Sequence, residues 1–127
     1  MTATPQALAL ATIAANAAAD RKATDIVVLD VSETLVITDL FLIASADNER
    51  QVNAITEEIE DQLRAAGHSP LRREGVRDGR WALLDYGDVV VHIQHDDERE
   101  FYGLQRLWAD GPTVEIEGLE RPESDPV

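Results

Sequence analysis

The sequence predicts an α+β domain, a sheet with helices packed mainly on one face. Three observations carry this: an alanine-rich segment with helix-start signals, a long amphipathic helix ended by glycine, and the strand–turn–strand run WALLDYGDVVVHIQ. The expected order is α-β-β-α-β-β-β-α. A chain of 127 residues suits one domain. The expected domain covers residues 1–112, followed by an acidic, disordered tail over 113–127, where five acids accompany one arginine and two prolines.

The first helix starts at Thr4, a good N-cap, with Pro5 at the first helical position where its missing N–H costs nothing. Leu10, Ile13, Ala14 and Ala17 share one face, and the alanines raise helix propensity. Asp25–Val31 (DIVVLDV) is rich in β-branched residues and reads as a buried strand; Ser32–Thr34 forms the connection. Asp39–Ala46 (DLFLIASA) is a second apolar run of strand length. A helix over about Asn48–Ala66 follows, capped by Asp47 or Asn48, with Val52, Ile55, Ile59 and Leu63 as its apolar stripe. Gly67 ends it where a positive φ is cheap.

His68–Arg73 is expected as a strand entering the basic loop Arg72–Arg80. Trp81–Tyr86 and Val89–Gln94 pair as a hairpin around the Gly87-Asp88 turn. Asp96 or Asp97 then caps a helix running to about Trp108, with Phe101, Leu104 and Trp108 facing inward and Leu107 flanking.

Composition excludes several functions. With no cysteine, there is no disulfide scaffold, thiolate metal site or cysteine nucleophile. Lys and Arg number 11 against 25 Asp and Glu, a formal net charge of -14. That surface repels phosphate backbones, so little direct nucleic-acid contact is expected, and it suits a basic partner as well as plain solubility. The segment ALALATIAANAAA (7–19) resembles a short signal core, but no Lys or Arg precedes Arg21. No run is long enough to span a bilayer. The expectation is a soluble, cytoplasmic protein.

Catalytic patterns are missing. The sequence has no G-x-S-x-G, no P-loop, no D-x-D pair and no Gly-Ser pair. Asp30, Asp39, Asp85 and Asp88 lie at strand ends or beside the turn, where Mg²⁺ binding competes with ordinary turn chemistry and turn chemistry is favoured. His92 and His95 fall on opposite faces of a strand, a poor metal arrangement; a half-buried histidine is the simpler expectation. In the hairpin, Trp81, Leu83 and Asp85 point to one face and Ala82, Leu84 and Tyr86 to the other. Both faces carry bulky apolar groups. Either helices cover both, or a partner covers one.

The segments TDLFLIASADNERQVNAI, EG followed by WALLDYGDVVVHI, and REFYGLQRLWAD resemble the ribosomal silencing factor family, also called Iojap-related. The resemblance covers roughly residues 5–110; it is most specific in Asp85–His92, Arg99, Phe101-Tyr102 and Leu107-Trp108. It implies a mixed-sheet fold similar to nucleotidyltransferases without their active site, hence no enzyme and no cofactor. It also implies binding to the large ribosomal subunit through large-subunit ribosomal protein fourteen, blocking of small-subunit joining, and repression of translation when nutrients are scarce. The expected contact patch is Trp81, Leu83, Asp85, Tyr86 and Asp88, with Arg99 and Tyr102 nearby. Trp81 and Tyr86 are each expected either to touch the partner or to pack internally. A homodimer of the free protein is a further expectation, since an unoccupied apolar patch is a liability in solution.

Overall fold

Helix α1 (Pro5–Asp20) begins as the sequence predicts: the Thr4 hydroxyl accepts from the Ala7 N–H at 3.1 Å, and Pro5 opens the first turn. The structure, a computed structural model, describes residues 3–107 and 113–119. Apart from Leu10, the buried residues of α1 are all alanines, which let the helix lie close to its neighbours. Helix α2 (Glu49–Ala65) is capped by Asn48, the second of the two expected residues, whose Oδ1 accepts from Gln51 N at 2.8 Å. Asp47 instead accepts from the Asn48 side chain. The stripe Val52, Ile55, Ile59 and Leu63 is fully buried, and Gly67 takes φ +95° just past the helix end.

Strands β1 (Thr24–Asp30), β2 (Leu40–Ala46), β3 (Arg72–Glu74), β4 (Trp81–Asp85) and β5 (Val89–His95) form one mixed sheet in the order β1-β2-β5-β4-β3. Neighbours are antiparallel except β2 and β5, which run parallel in unbroken register from Leu40↔Val89 to Ala46↔His95. The third strand starts at Arg72, not His68. Pro70 lacks an N–H to give a ladder, and pairing begins with the bond from Leu71 N to Asp85 O.

One face of the sheet packs under α1 and α2. Leu40, Leu42, Ala44, Ala82, Leu84, Val89, Val91 and Ile93 join the buried helix residues in the main core. Each large aliphatic side chain so buried contributes on the order of 2 kcal/mol. The opposite face holds a smaller cluster of Leu29, Val31 and Ile43, with Val27, Leu35, Phe41 and Leu104 around it.

The last helix differs from expectation. It spans only Asp96–Tyr102 (α3), and its cap is the His95 ring, whose Nδ1 accepts from Asp97 N at 3.1 Å. Gly103 turns left-handed at φ +53° and breaks the helix before the short α4 (Leu104–Leu107). The expected inward stripe therefore fails at Phe101, which is 79% exposed, while Leu104 packs on the second cluster. A stripe extrapolated through Gly103 loses its register where the axis breaks. The expected places of Trp108 and of the Leu107 side chain lie outside the described residues.

The start of the expected tail is tied down. Thr113 bridges to Leu29, Val114 N donates to Val28 O at 2.8 Å, and Asn16 donates to Glu117 O at 3.1 Å. Ile116 is buried in the main core. Residues 113–119 are thus a strap over α1 and the outer edge of β1, so the boundary expected at 112 leaves a core residue outside it; residues 120–127 lie outside the described residues. Ile116→Ala should lower unfolding stability by about 2 kcal/mol in urea denaturation. An unchanged midpoint would mean that the strap does not pack.

Candidate docking face

The sheet face turned away from α1 and α2 is set by strand register. Across β4, β5 and β2, Trp81 pairs with Gln94 and Ser45, Leu83 with His92 and Ile43, and Asp85 with Val90 and Phe41. Side chains in register share a face, so these nine form its central rows. Helix α3 follows β5 directly and lies beside the Trp81 end.

Five rings make a continuous series there. Phe41 meets His92 edge-on at 5.1 Å, His92 lies 6.1 Å from Trp81, Trp81 lies 4.9 Å from Tyr102, and Tyr102 meets Phe101 edge-on at 4.9 Å. Such offset and edge-on pairs are favourable beyond the area they bury. The series runs from buried to open: His92 is buried, Trp81 half-buried, Tyr102 and Phe101 exposed. The Trp81 indole N–H donates to His92 Nδ1 at 3.2 Å. The neutral imidazole then carries its proton on Nε2. Burial pulls the His92 pKa down to about 4.

Polar groups line the same end. Arg99 donates to Ser45 Oγ at 3.0 Å. Burial lowers its pKa from the ordinary value, against the pull of Asp25 and Asp96, but a guanidinium stays charged. The Gln94 carboxamide is fully buried and makes no hydrogen bond to the described residues. Arg80 ties α3 back to the sheet and to α2, through Glu98 at 2.8 Å and Glu49 at 3.4 Å, while its backbone carbonyl accepts from His95 N.

The sequence-predicted site residues divide into two groups. Trp81, Leu83, Asp85, Arg99 and Tyr102 come to this face or its rim. Tyr86 lies on the opposite face, packed against the main core, where burial pushes its phenol pKa up to about 12 with Glu60 adding to the shift. Asp88 is exposed at the hairpin turn, and its backbone carbonyl accepts from Asp39 N and Leu40 N. Asp85 and Asp30 do turn work, and Asp39 ties the start of α1 to the sheet. Asp85 accepts from Gly87 N at 2.8 Å, Asp30 from Ser32 N at 2.9 Å, and Asp39 from Thr4 N at 2.9 Å. The basic loop is partly neutralised in place: Arg72 pairs with Asp85 and Glu74, and Arg73 with Glu60. His92 and His95 fall on opposite faces of β5. Among the described residues, no group of three His, Cys, Asp or Glu gathers as a metal site. No described helix is long and apolar enough to cross a membrane.

Sequence reasoning missed Val36 and Ile37. They are 98% and 82% exposed in the loop between β1 and β2, which Thr38 pins to the hairpin turn through a bond to Gly87 O. Leu71, also exposed, lies across the turn against Gly87. The signal was available: an aliphatic pair inside a connection between two strands.

The His92 pKa has a thermodynamic consequence. Between pH 6.5 and about 4 the unfolded chain takes up a proton that the folded chain refuses. The stability this confers is fully present above pH 6.5 and is lost as pH falls through that window, a change of roughly 3 kcal/mol. Urea midpoints should fall more steeply over this range in the wild type than in His92→Phe. Parallel slopes would place a solvated imidazole at this position.

Residues 4–126 match the family model described as "Ribosomal silencing factor during starvation". The ribosomal silencing factor RsfS of Halalkalibacterium halodurans is 45% identical over 107 residues, covering 84% of this chain and 92% of that protein. The protein of the same name from Bacillus subtilis is 43% identical over 105 residues, covering 83% and 89%. A crystal structure of a protein from Bacillus halodurans superposes with a TM-score of 0.75 at 42% identity, covering 85% of this chain and 98% of that one. The α+β fold and the match along nearly the whole chain agree, and this chain belongs to the ribosomal silencing factor (RsfS) family.

Proposed function

We propose that this chain is a ribosome-associated silencing factor that binds ribosomal protein fourteen of the large subunit and blocks joining of the small subunit. The family match over residues 4–126 carries the reading. The accessible rim of the sheet face turned away from α1 and α2 supports it. Trp81 and Tyr102 are residue types that anchor protein interfaces, and here they lie tilted against each other at 4.9 Å beside the exposed Phe101. Around them stand Asp96, Asp97, Glu98 and Glu100, on a chain of net charge -14. A basic ribosomal protein is the complementary partner. Charge sets the encounter rate, and the aromatic anchors set the lifetime of the complex.

Steric occupancy completes the mechanism. A bridge between subunits needs its surface free, so a bound domain there excludes the small subunit without chemistry, nucleotide or cofactor. The factor acts in the cytoplasm when nutrients are scarce. The same exposed apolar groups support a homodimer of the free protein that opens before docking. Sedimentation should detect a concentration-dependent dimer at micromolar levels; a monomer throughout would remove this part of the reading.

Subunit reassociation followed by light scattering tests the function. Added to large subunits, the protein should lower the yield of joined ribosomes, and Trp81→Ala should raise the dose required by roughly tenfold or more. Tyr86→Ala should act mainly through fold stability, since its ring packs on the other face. Raising salt should slow association while leaving dissociation nearly unchanged. Undiminished joining at saturating protein would contradict the reading.

A further inference from the structure

We propose that His92 is a positioning residue for docking: its Nδ1 fixes the indole of Trp81, so that the aromatic surface is set before a partner arrives. This inference rests on the rim at Trp81, Tyr102 and Phe101 being the docking surface. Three observations carry it. The bond from the Trp81 indole to Nδ1 crosses between β4 and β5, linking diagonal neighbours, since Trp81 pairs in register with Gln94. His92 is held on both sides, by Leu83 and Ile43 in register and by the edge of Phe41, so the acceptor has little freedom. It is also only 5% exposed, so an aliphatic or phenyl side chain would fill the space without burying a polar ring.

What the imidazole adds over such a side chain is an acceptor at one place. Trp81 is half-buried, and the bond fixes which way its ring lies. Tyr102 lies tilted against that ring at 4.9 Å and Phe101 meets Tyr102 edge-on, so the orientation chosen at His92 passes outward to the exposed end of the series. A surface ordered beforehand loses less entropy on binding and releases its partner more slowly.

The test compares His92→Phe, which keeps a ring and loses the acceptor, with His92→Asn, whose Oδ1 restores an acceptor near the Nδ1 position. One readout is hydrogen exchange of the Trp81 indole proton by NMR, assigned by its loss in Trp81→Phe. The other is dissociation of the chain from purified large subunits. His92→Phe should speed both by roughly tenfold, and His92→Asn should recover part of each. Trp81→Phe removes the donor, so adding His92→Phe to it should cost little more. Unchanged indole exchange in His92→Phe overturns the proposal, as do additive effects in the double variant. Faster exchange with wild-type dissociation also overturns it, and Trp81→Ala then separates the two levels. If Trp81→Ala still speeds release, the docking face stands and only the role of His92 falls. If it does not, or if the wild type forms no complex, the docking reading itself has failed. Should His92→Phe not fold, Trp81→Phe alone decides, because wild-type release from that variant overturns the proposal equally.

Discussion

The parallel pairing of β2 with β5 is the constraint on which the rest of the molecule depends. Side chains alternate along a strand, so the register Leu40↔Val89 decides which residues meet the helices and which face away. Leu40, Leu42, Val89, Val91 and Ile93 go under α1 and α2. Phe41, Ile43, Ser45, Val90, His92 and Gln94 go to the other side. The β4–β5 hairpin extends this division, adding Ala82 and Leu84 to the core and Trp81, Leu83 and Asp85 to the opposite face. A slip by one residue would bury Trp81 under α2 and turn the aliphatic core outward. The same pairing that closes the fold therefore builds the candidate docking face.

Electrostatics work on a second level. The chain is strongly acidic, yet several of its arginines serve the fold. Arg80 joins α3 to α2, Arg73 reaches Glu60 on α2, Arg21 bonds Glu58, and Arg99 reaches Ser45. The arginine–carboxylate contacts, to which each arginine brings a partly exposed side chain, add little stability individually, while the Arg99–Ser45 bond is part-buried. The negative field comes from the net charge of -14, which these contacts leave unchanged. In the proposed docking, short-range recognition falls to the aromatic series at the α3 end, which runs from the Phe41–His92 contact out to Phe101.

Much of this was legible in the sequence because it is local. Thr4-Pro5 marks the start of α1, the Val52–Leu63 stripe defines α2, and the Gly87-Asp88 turn defines the hairpin. Alternation alone separates Trp81, Leu83 and Asp85 from Tyr86. What was not legible depends on distant chain or on a break in a pattern. Gly103 interrupts a stripe that continues in composition, so Phe101 was expected inside. Val114, Ile116 and Leu119 are too sparse among acids to signal a packed strap, and their partners lie on α1 and β1, far back in the chain. The placement of α3 beside the open face, which brings Tyr102 to Trp81, has no local signature. The bond from Trp81 to His92 lies between: hairpin register makes them diagonal neighbours, but only the folded rotamers make them donor and acceptor.

The central claim is that the sheet face opposite α1 and α2 is the one that meets the ribosome. Hydroxyl-radical footprinting of the chain, free and bound to large subunits, tests it most directly, because aromatic side chains report their own exposure. Trp81, Tyr102 and Phe101 should lose reactivity on binding while Leu8, exposed on α1, keeps its own. Protection of Leu8 with unchanged reactivity at Trp81, Tyr102 and Phe101 would place the contact on the helical side and contradict the account.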